Sequence, residues 1–133
     1  MKEILFVFLG GGAGSVLRFL TSVCWQRMAV MPSFAAMWLP WPTLIVNVVG
    51  CFLIAVFYIM SERCNLSAET RLLLTTGLCG GFTTFSTFSH EGLQLLRNGQ
   101  YAAYAAYFGL SLLLGLTAAA LPYFWMTKTE LPA

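Results

Sequence analysis

Charge is what this chain has least of. Only 9% of its 133 residues are Asp, Glu, Lys or Arg, against about 25% in soluble domains. Aspartate is absent, and the five carboxylates are all glutamates. His90 is the single histidine, so a metal role for it has no second imidazole to lean on. The four cysteines, Cys24, Cys51, Cys64 and Cys79, contain no CxxC pair, which supports neither zinc nor a disulfide framework. No nucleophile and base fall in a recognisable arrangement, so enzyme activity has little support. The basic residues are scattered near segment ends and the net charge is +2, which excludes a nucleic-acid-binding patch.

What the chain has instead is apolar surface: 59% hydrophobic residues and a mean hydropathy of +0.78. Too little polar surface remains to cover a soluble core, and an integral membrane protein follows. A bilayer core needs about 20 apolar residues of helix, and four segments fit: Ile4–Trp25, Trp41–Met60, Ser67–Arg97 and Tyr101–Met126. The first is too long and glycine-rich for a signal peptide and is read as a retained span. Pro40 and Pro42 suit the start of the second, and Ser67 suits an N-cap for the third. Asn98-Gly99-Gln100 reads as a tight turn, making the third and fourth segments an antiparallel hairpin. The third segment is longer than a straight span requires. With Gly77, Gly80 and Gly81 in its middle, it is expected to be two half-helices joined by a break. The fold class expected is an all-α, multi-pass membrane protein, residues 1–133 forming one four-helix transmembrane domain.

An even number of spans puts both termini on one side. That side would carry Lys2, Arg63, Arg71 and Lys128, against Arg27, Arg97 and, if it snorkels outward, Arg18. The positive-inside bias is therefore weak. Dual insertion with antiparallel pairing and ordinary single topology both stay open. Four helices form a bundle too thin to enclose a polar path and a lipid-facing coat, so a second subunit is expected. Small residues for close helix approach are plentiful, among them Gly10, Gly14, Gly50, Gly109 and Gly115.

The polar residues inside these spans are the candidates for function. Gly10-Gly11-Gly12-Ala13-Gly14-Ser15 has no preceding strand and reads as helix packing, not as a nucleotide loop. Arg18 either borders a pathway favouring anions or snorkels to the interface. Asn47 either glues helices through its amide or donates to an anion. Phe82, Phe85 and Phe88 are spaced by three and share a face if the helix is continuous. Thr83, Thr84, Ser86, Thr87 and Ser89 set hydroxyls beside those rings. Ring edges are positive and would attract a small bare anion. Carbonyls freed near Gly80 and Thr83 by a break would suit a small cation, and two subunits meeting there would make a four-oxygen cage. Tyr107 and Ser111 lie four apart on one face, with Tyr104 a turn earlier. Glu91 is either interfacial or a carboxylate at the mouth of the path.

The run Gly77-Leu78-Cys79-Gly80-Gly81-Phe82-Thr83-Thr84-Phe85-Ser86-Thr87-Phe88-Ser89 resembles the signature of the Fluc (CrcB) fluoride channels. Gly10–Arg18 and Thr43–Gly50 resemble that family's first and second helices, so the likeness covers the whole chain. It implies an antiparallel, dual-topology homodimer with two fluoride pores and a structural sodium ion at the dimer centre, in the plasma (inner) membrane of a prokaryote. By that resemblance Phe85 and Phe88 are the pore phenylalanines, with Asn47 as the pore amide and Thr43 also along the pore. Ser86 and Thr87 supply hydroxyls near the ion. Tyr107 and Ser111 begin a polar track with Glu91 at its edge, Arg18 lies near a vestibule, and Gly80 and Thr83 give backbone carbonyls to Na+. Gly115 departs from the pattern, where serine is common. A passive pore would let the membrane potential drive fluoride out. An ion-coupled carrier and a packing subunit of a larger complex are the competing readings.

Overall fold

The computed structural model of the chain describes residues 1–29 and 39–127. Among these residues every regular element is helical. Helix α1 spans Lys2–Met28 and α2 spans Trp41–Arg63. Residues 68–82 form α3, whose middle, Leu73–Cys79, is wound as a wider π-type helix. Helix α4 is Phe85–Arg97 and α5 is Tyr101–Thr127. Lys128, counted above among the terminal-side charges, lies outside the described residues.

Helices α1, α2 and α5 are long and apolar enough to cross a membrane. At about 1.5 Å per residue, even the 23 residues of α2 outreach a hydrocarbon core about 30 Å thick. The segment expected as a fourth span does not form one continuous rod. Helical backbone stops at Phe82, where Thr83 (φ −78, ψ 158) and Thr84 (φ −150, ψ 114) are extended. Helical dihedrals resume at Phe85, and neither α3 nor the 13-residue α4 is long enough to span alone. The non-helical pair falls beyond the glycines that were expected to cause it. Gly80 itself has helical φ −63 and ψ −38.

The local signals explain the ends. Pro40 caps α2 and a proline follows in its first turn, where the missing N–H has no helical partner to lose. Ser67 Oγ accepts the Thr70 amide at 3.2 Å. Gly99 takes φ 71, and the Gln100 amide reaches back to the Leu95 carbonyl at 2.9 Å. That reversal sends α5 back along α4, as the Asn98–Gln100 turn predicts.

Two packing seams organise the bundle: α1 lies on α3, and α2 on α5. Helices α2 and α5 run in the same direction, since Arg63 at the end of α2 donates from Nη2 to the Met126 carbonyl near the end of α5 at 2.7 Å. Leu44, Val46, Ala55 and Ile59 of α2 are buried and make it the central helix. Outward faces are apolar, for example Phe8 and Phe19 on α1 and Leu113 and Phe124 on α5. This inside-out distribution suits lipid and fits a multi-pass membrane protein.

The α1–α3 seam is backbone against backbone. A Cβ on Gly10 would run into the Leu73 carbonyl, and one on Gly14 into the Leu78 carbonyl. From the other side, a Cβ on Gly77 would lie 2.9 Å from Gly10 Cα, and one on Gly81 would strike the Gly11 carbonyl. Gly77 and Gly81 therefore serve close approach, the role the sequence assigned to Gly10 and Gly14. Gly12 has nothing within 4 Å of an added Cβ. Gly14→Val is expected to cost about 1–3 kcal/mol of overpacking and to lower the melting temperature of the detergent-purified protein. Gly12→Val should melt near wild type; equal melting of the two variants would contradict the seam.

Candidate functional site

Extended residues inside an apolar bundle leave backbone groups without helical partners. At Thr84 both are taken up by one side chain. Asn47 Nδ2 donates to the Thr84 carbonyl at 3.1 Å, and the Thr84 amide donates to Asn47 Oδ1 at 2.8 Å. The asparagine thus does for Thr84 what a neighbouring strand would do. Thr84 in turn caps α4: its Oγ1 accepts the Thr87 amide at 3.3 Å and donates to Thr87 Oγ1 at 3.0 Å. Ser86 is exposed, its hydroxyl 3.4 Å from Thr84 Oγ1.

These bonds displace others. In a continuous helix the Thr84 amide would serve the Gly80 carbonyl and the Thr87 amide the Thr83 carbonyl. Both donors are used elsewhere. The Thr83 hydroxyl and amide each return to the Cys79 carbonyl at 2.9 Å. Gly80 is exposed, with nothing within 4 Å of a Cβ built on it.

The second turns of α4 and α5, with the first turn of α2, carry a second polar cluster. Thr43 Oγ1 donates to Glu91 Oε1 at 2.8 Å, and the fully buried Tyr107 donates its OH to Glu91 Oε2 at 2.6 Å. Glu91 is half-buried and held at both oxygens. Between the Asn47 and Glu91 clusters lie the rings. Phe85 and Phe88 have centroids 6.0 Å apart and tilted by 41°, and Phe88 is 4.9 Å from Tyr107.

A groove of about 500 Å³ runs past Asn47, Phe85, Phe88, Phe108, Gly109, Ser111 and Leu112. Asn47, Phe85, Phe88 and Ser111 were expected along a pore, and the fold brings them together. Ser111 lines the groove, and its buried Oγ has no hydrogen-bond partner among the described residues. Asn47 retains a second amide proton after serving Thr84. Phe85 is 81% exposed and projects from this single chain. Thr43, Tyr107 and Glu91 stand behind the groove, not among its lining residues. Thr87 lines a separate cavity of about 60 Å³ with Arg18, Ser22, Thr43 and Thr84. Arg18 is half-buried and its Nε donates to the Gly81 carbonyl at 3.2 Å, so it is anchored within the protein and does not extend freely to the interface.

One expectation is overturned. Phe82 does not share a face with Phe85 and Phe88, because the extended pair intervenes. Its ring lies beside Gly50 and borders an apolar cavity with Leu17, Leu53 and Cys79. Residue spacing counts a face only while the helix continues.

The sequence model of the family described as CrcB-like protein, Camphor Resistance (CrcB), matches residues 5–123. The chain belongs to the CrcB family. Among its CrcB relatives, a Phocaeicola vulgatus protein named fluoride-specific ion channel FluC is 46% identical over 128 residues, covering 96% of this chain and 100% of that one. A Bacteroides fragilis protein of the same name is 50% identical over 118 residues, covering 89% and 91%. A third, from Leptospira interrogans, is 41% identical over 128 residues, covering 96% and 95%. These CrcB relatives bear the names of channels, not enzymes.

Sequence reasoning missed two residues of this CrcB site. Thr84 was counted only as one hydroxyl among several, although its backbone is the hinge of the cluster. Phe108 was not singled out, and its spacing of four from Tyr104 was the available signal. A Cβ built on Gly115 would lie 3.5 Å from Cys51 Sγ, ordinary packing distance. His90 bonds to Gln94 at 3.1 Å on the exposed side of α4.

Removing the Asn47 amide strands both Thr84 backbone groups, at about 1–3 kcal/mol each. Asn47→Ala should therefore lower thermal stability and speed hydrogen exchange at the Thr84 amide, in addition to any effect on transport. Wild-type exchange at Thr84 in the variant would show that Asn47 does not hold this turn.

Proposed function

We propose that this CrcB-family chain is a passive, fluoride-selective channel that lets fluoride leave the cell through two pores of an antiparallel, dual-topology homodimer. Residues 68–97 cross the bilayer as one interrupted span, giving four spans in all, and the protein resides in the inner (plasma) membrane of a bacterium. The observation that carries the reading is the convergence of two phenyl rings, a spare amide proton and an unpartnered hydroxyl on one groove, in a chain whose relatives are named as fluoride-specific channels. Ring edges and single neutral donors attract a small anion without trapping it. Conduction requires binding of this kind, strong enough to admit the ion and weak enough to release it. Arg18 lies beside Thr87 and Thr43 and supplies positive potential near the path. No energy source is needed, since a membrane voltage is worth about 2.3 kcal/mol per charge per 100 mV.

A second copy completes the assembly in this reading. The groove is open and Phe85 stands clear of its own chain, so a partner would close the wall. A structural sodium ion fits the residues present. The Gly80 and Thr83 carbonyls have lost their ordinary donors to Asn47 and to the Thr84 cap. Hard carbonyl oxygens freed from their helical donors beside the extended pair suit Na+, and Gly80 is exposed. Two such carbonyls from each subunit would hold the ion and tie the dimer together at its centre.

Liposomes containing the purified protein are expected to release fluoride rapidly and retain chloride. Phe85→Ile and Phe88→Ile should each slow fluoride release about tenfold, equivalent to about 1.4 kcal/mol of barrier, while the dimer persists on size-exclusion chromatography. Chloride release matching fluoride would reject selectivity, and unchanged flux in both variants would reject the ring-edge path.

A further inference from the structure

Phe88 is gripped from α5 by two rings that differ in how they are held. Tyr107 is anchored by its OH on Glu91 at 2.6 Å. Phe108 has no polar anchor, yet it is the closer neighbour of Phe88, with centroids 4.4 Å apart at 39°. It also stacks on Tyr104 at 4.4 Å and meets Tyr107 edge-on at 84°. What seats it is an absence on α4. Gly92 lies one turn beyond Phe88 and is buried. A Cβ there would come 2.5 Å from Phe108 Cε2, 3.1 Å from its Cζ and 3.4 Å from Tyr104 Cε2. The Phe108 ring fills the notch that Gly92 leaves, and Phe108 is also one of the residues lining the groove.

We propose that Phe108, seated in the Gly92 notch, is a positioning residue that fixes which part of the Phe88 ring is turned to the groove, and thereby sets discrimination between halides. The inference rests on the fluoride-channel reading. Its physical basis is the ring quadrupole: the edge of a phenyl ring is positive and the face negative. A modest rotation of Phe88 therefore replaces an attractive surface for an anion with a repulsive one. Tyr107 cannot follow such a rotation without leaving Glu91. Phe108 resists it only through its seat in the Gly92 notch, so a change at either residue releases Phe88. A methyl on Gly92 would push Phe108 toward Phe88 or into the groove. A shorter side chain at 108 would remove one side of the grip.

The test reconstitutes wild type, Phe108→Leu, Gly92→Ala and the double variant in liposomes and reads fluoride and chloride efflux per dimer. Phe108→Leu should lower the fluoride-to-chloride ratio about tenfold, and Gly92→Ala should slow fluoride efflux by a similar factor, the scale that about 1.4 kcal/mol sets. The double variant should conduct fluoride better than Gly92→Ala alone, since leucine leaves room for the added methyl. This rescue is the coupling expected of residues in contact. Packing alone would alter yield or melting without moving the halide ratio. Wild-type ratios in both single variants, or strictly additive effects in the double variant, would overturn the proposal. Should Gly92→Ala fail to give dimer, the ratio measured in Phe108→Leu decides alone. A wild type that releases no fluoride would instead overturn the channel reading, a result distinct from the others.

Discussion

The reciprocal hydrogen bonds between the Asn47 amide and the Thr84 backbone are the constraint on which the rest of the site depends. Two extended residues at the core of an apolar bundle would otherwise leave polar groups without water or partner, each costing several kcal/mol in hydrocarbon. Asn47 lies 37 residues away on α2 and satisfies donor and acceptor together. That pairing allows the chain to leave one helical path at Phe82 and begin another at Phe85. The new path carries Phe88 and Glu91 onto α5, where the ring cluster and the Tyr107 bond receive them. A continuous helix would have kept Phe82, Phe85 and Phe88 in one stripe and given Thr84 no reason to meet Asn47.

The charged groups in this interior are each restrained by a neutral partner. Arg18 is bound to the Gly81 carbonyl, and Glu91 is held by two hydroxyls. Thr43 touches both environments: it bonds to Glu91 and lines the cavity that Arg18 faces. The cation and the carboxylate thus share this threonine as a neighbour, with no ion pair between them among the described residues. Charge at membrane depth is tolerated where it is directed inward and satisfied in this way. The groove itself contains only neutral donors and rings.

Much of the fold could be read from residue order. The three long helices lie within a few residues of the apolar runs that forecast them, and Pro40, Ser67 and Asn98–Gln100 mark boundaries as capping chemistry requires. That Asn47, Phe85, Phe88 and Ser111 would share one groove was legible through resemblance to a known family. What could not be read depends on contacts between distant segments. Composition pointed to the glycines as the site of irregular backbone, but Gly77 and Gly81 are needed for close packing on α1, and the departure from helix falls on two threonines. Helical spacing grouped Phe82 with the other phenylalanines because periodicity assumes unbroken geometry. Phe108 escaped notice because its importance arises from the missing side chain of Gly92, visible only once α4 and α5 face each other.

The glycine seam between α1 and α3 also bears on how the protein is made. At its four glycines the backbones meet with no side chain between them, so there docking costs little side-chain entropy. Its halves are far apart in the chain: Gly10 and Gly14 leave the ribosome well before Gly77 and Gly81. At about 5–20 residues per second, the notch on α1 faces lipid for several seconds before its complement is synthesised. During biogenesis the first helix is therefore an unfinished surface, and the later glycine-rich half-helix acts as the latch that commits the bundle to its final arrangement.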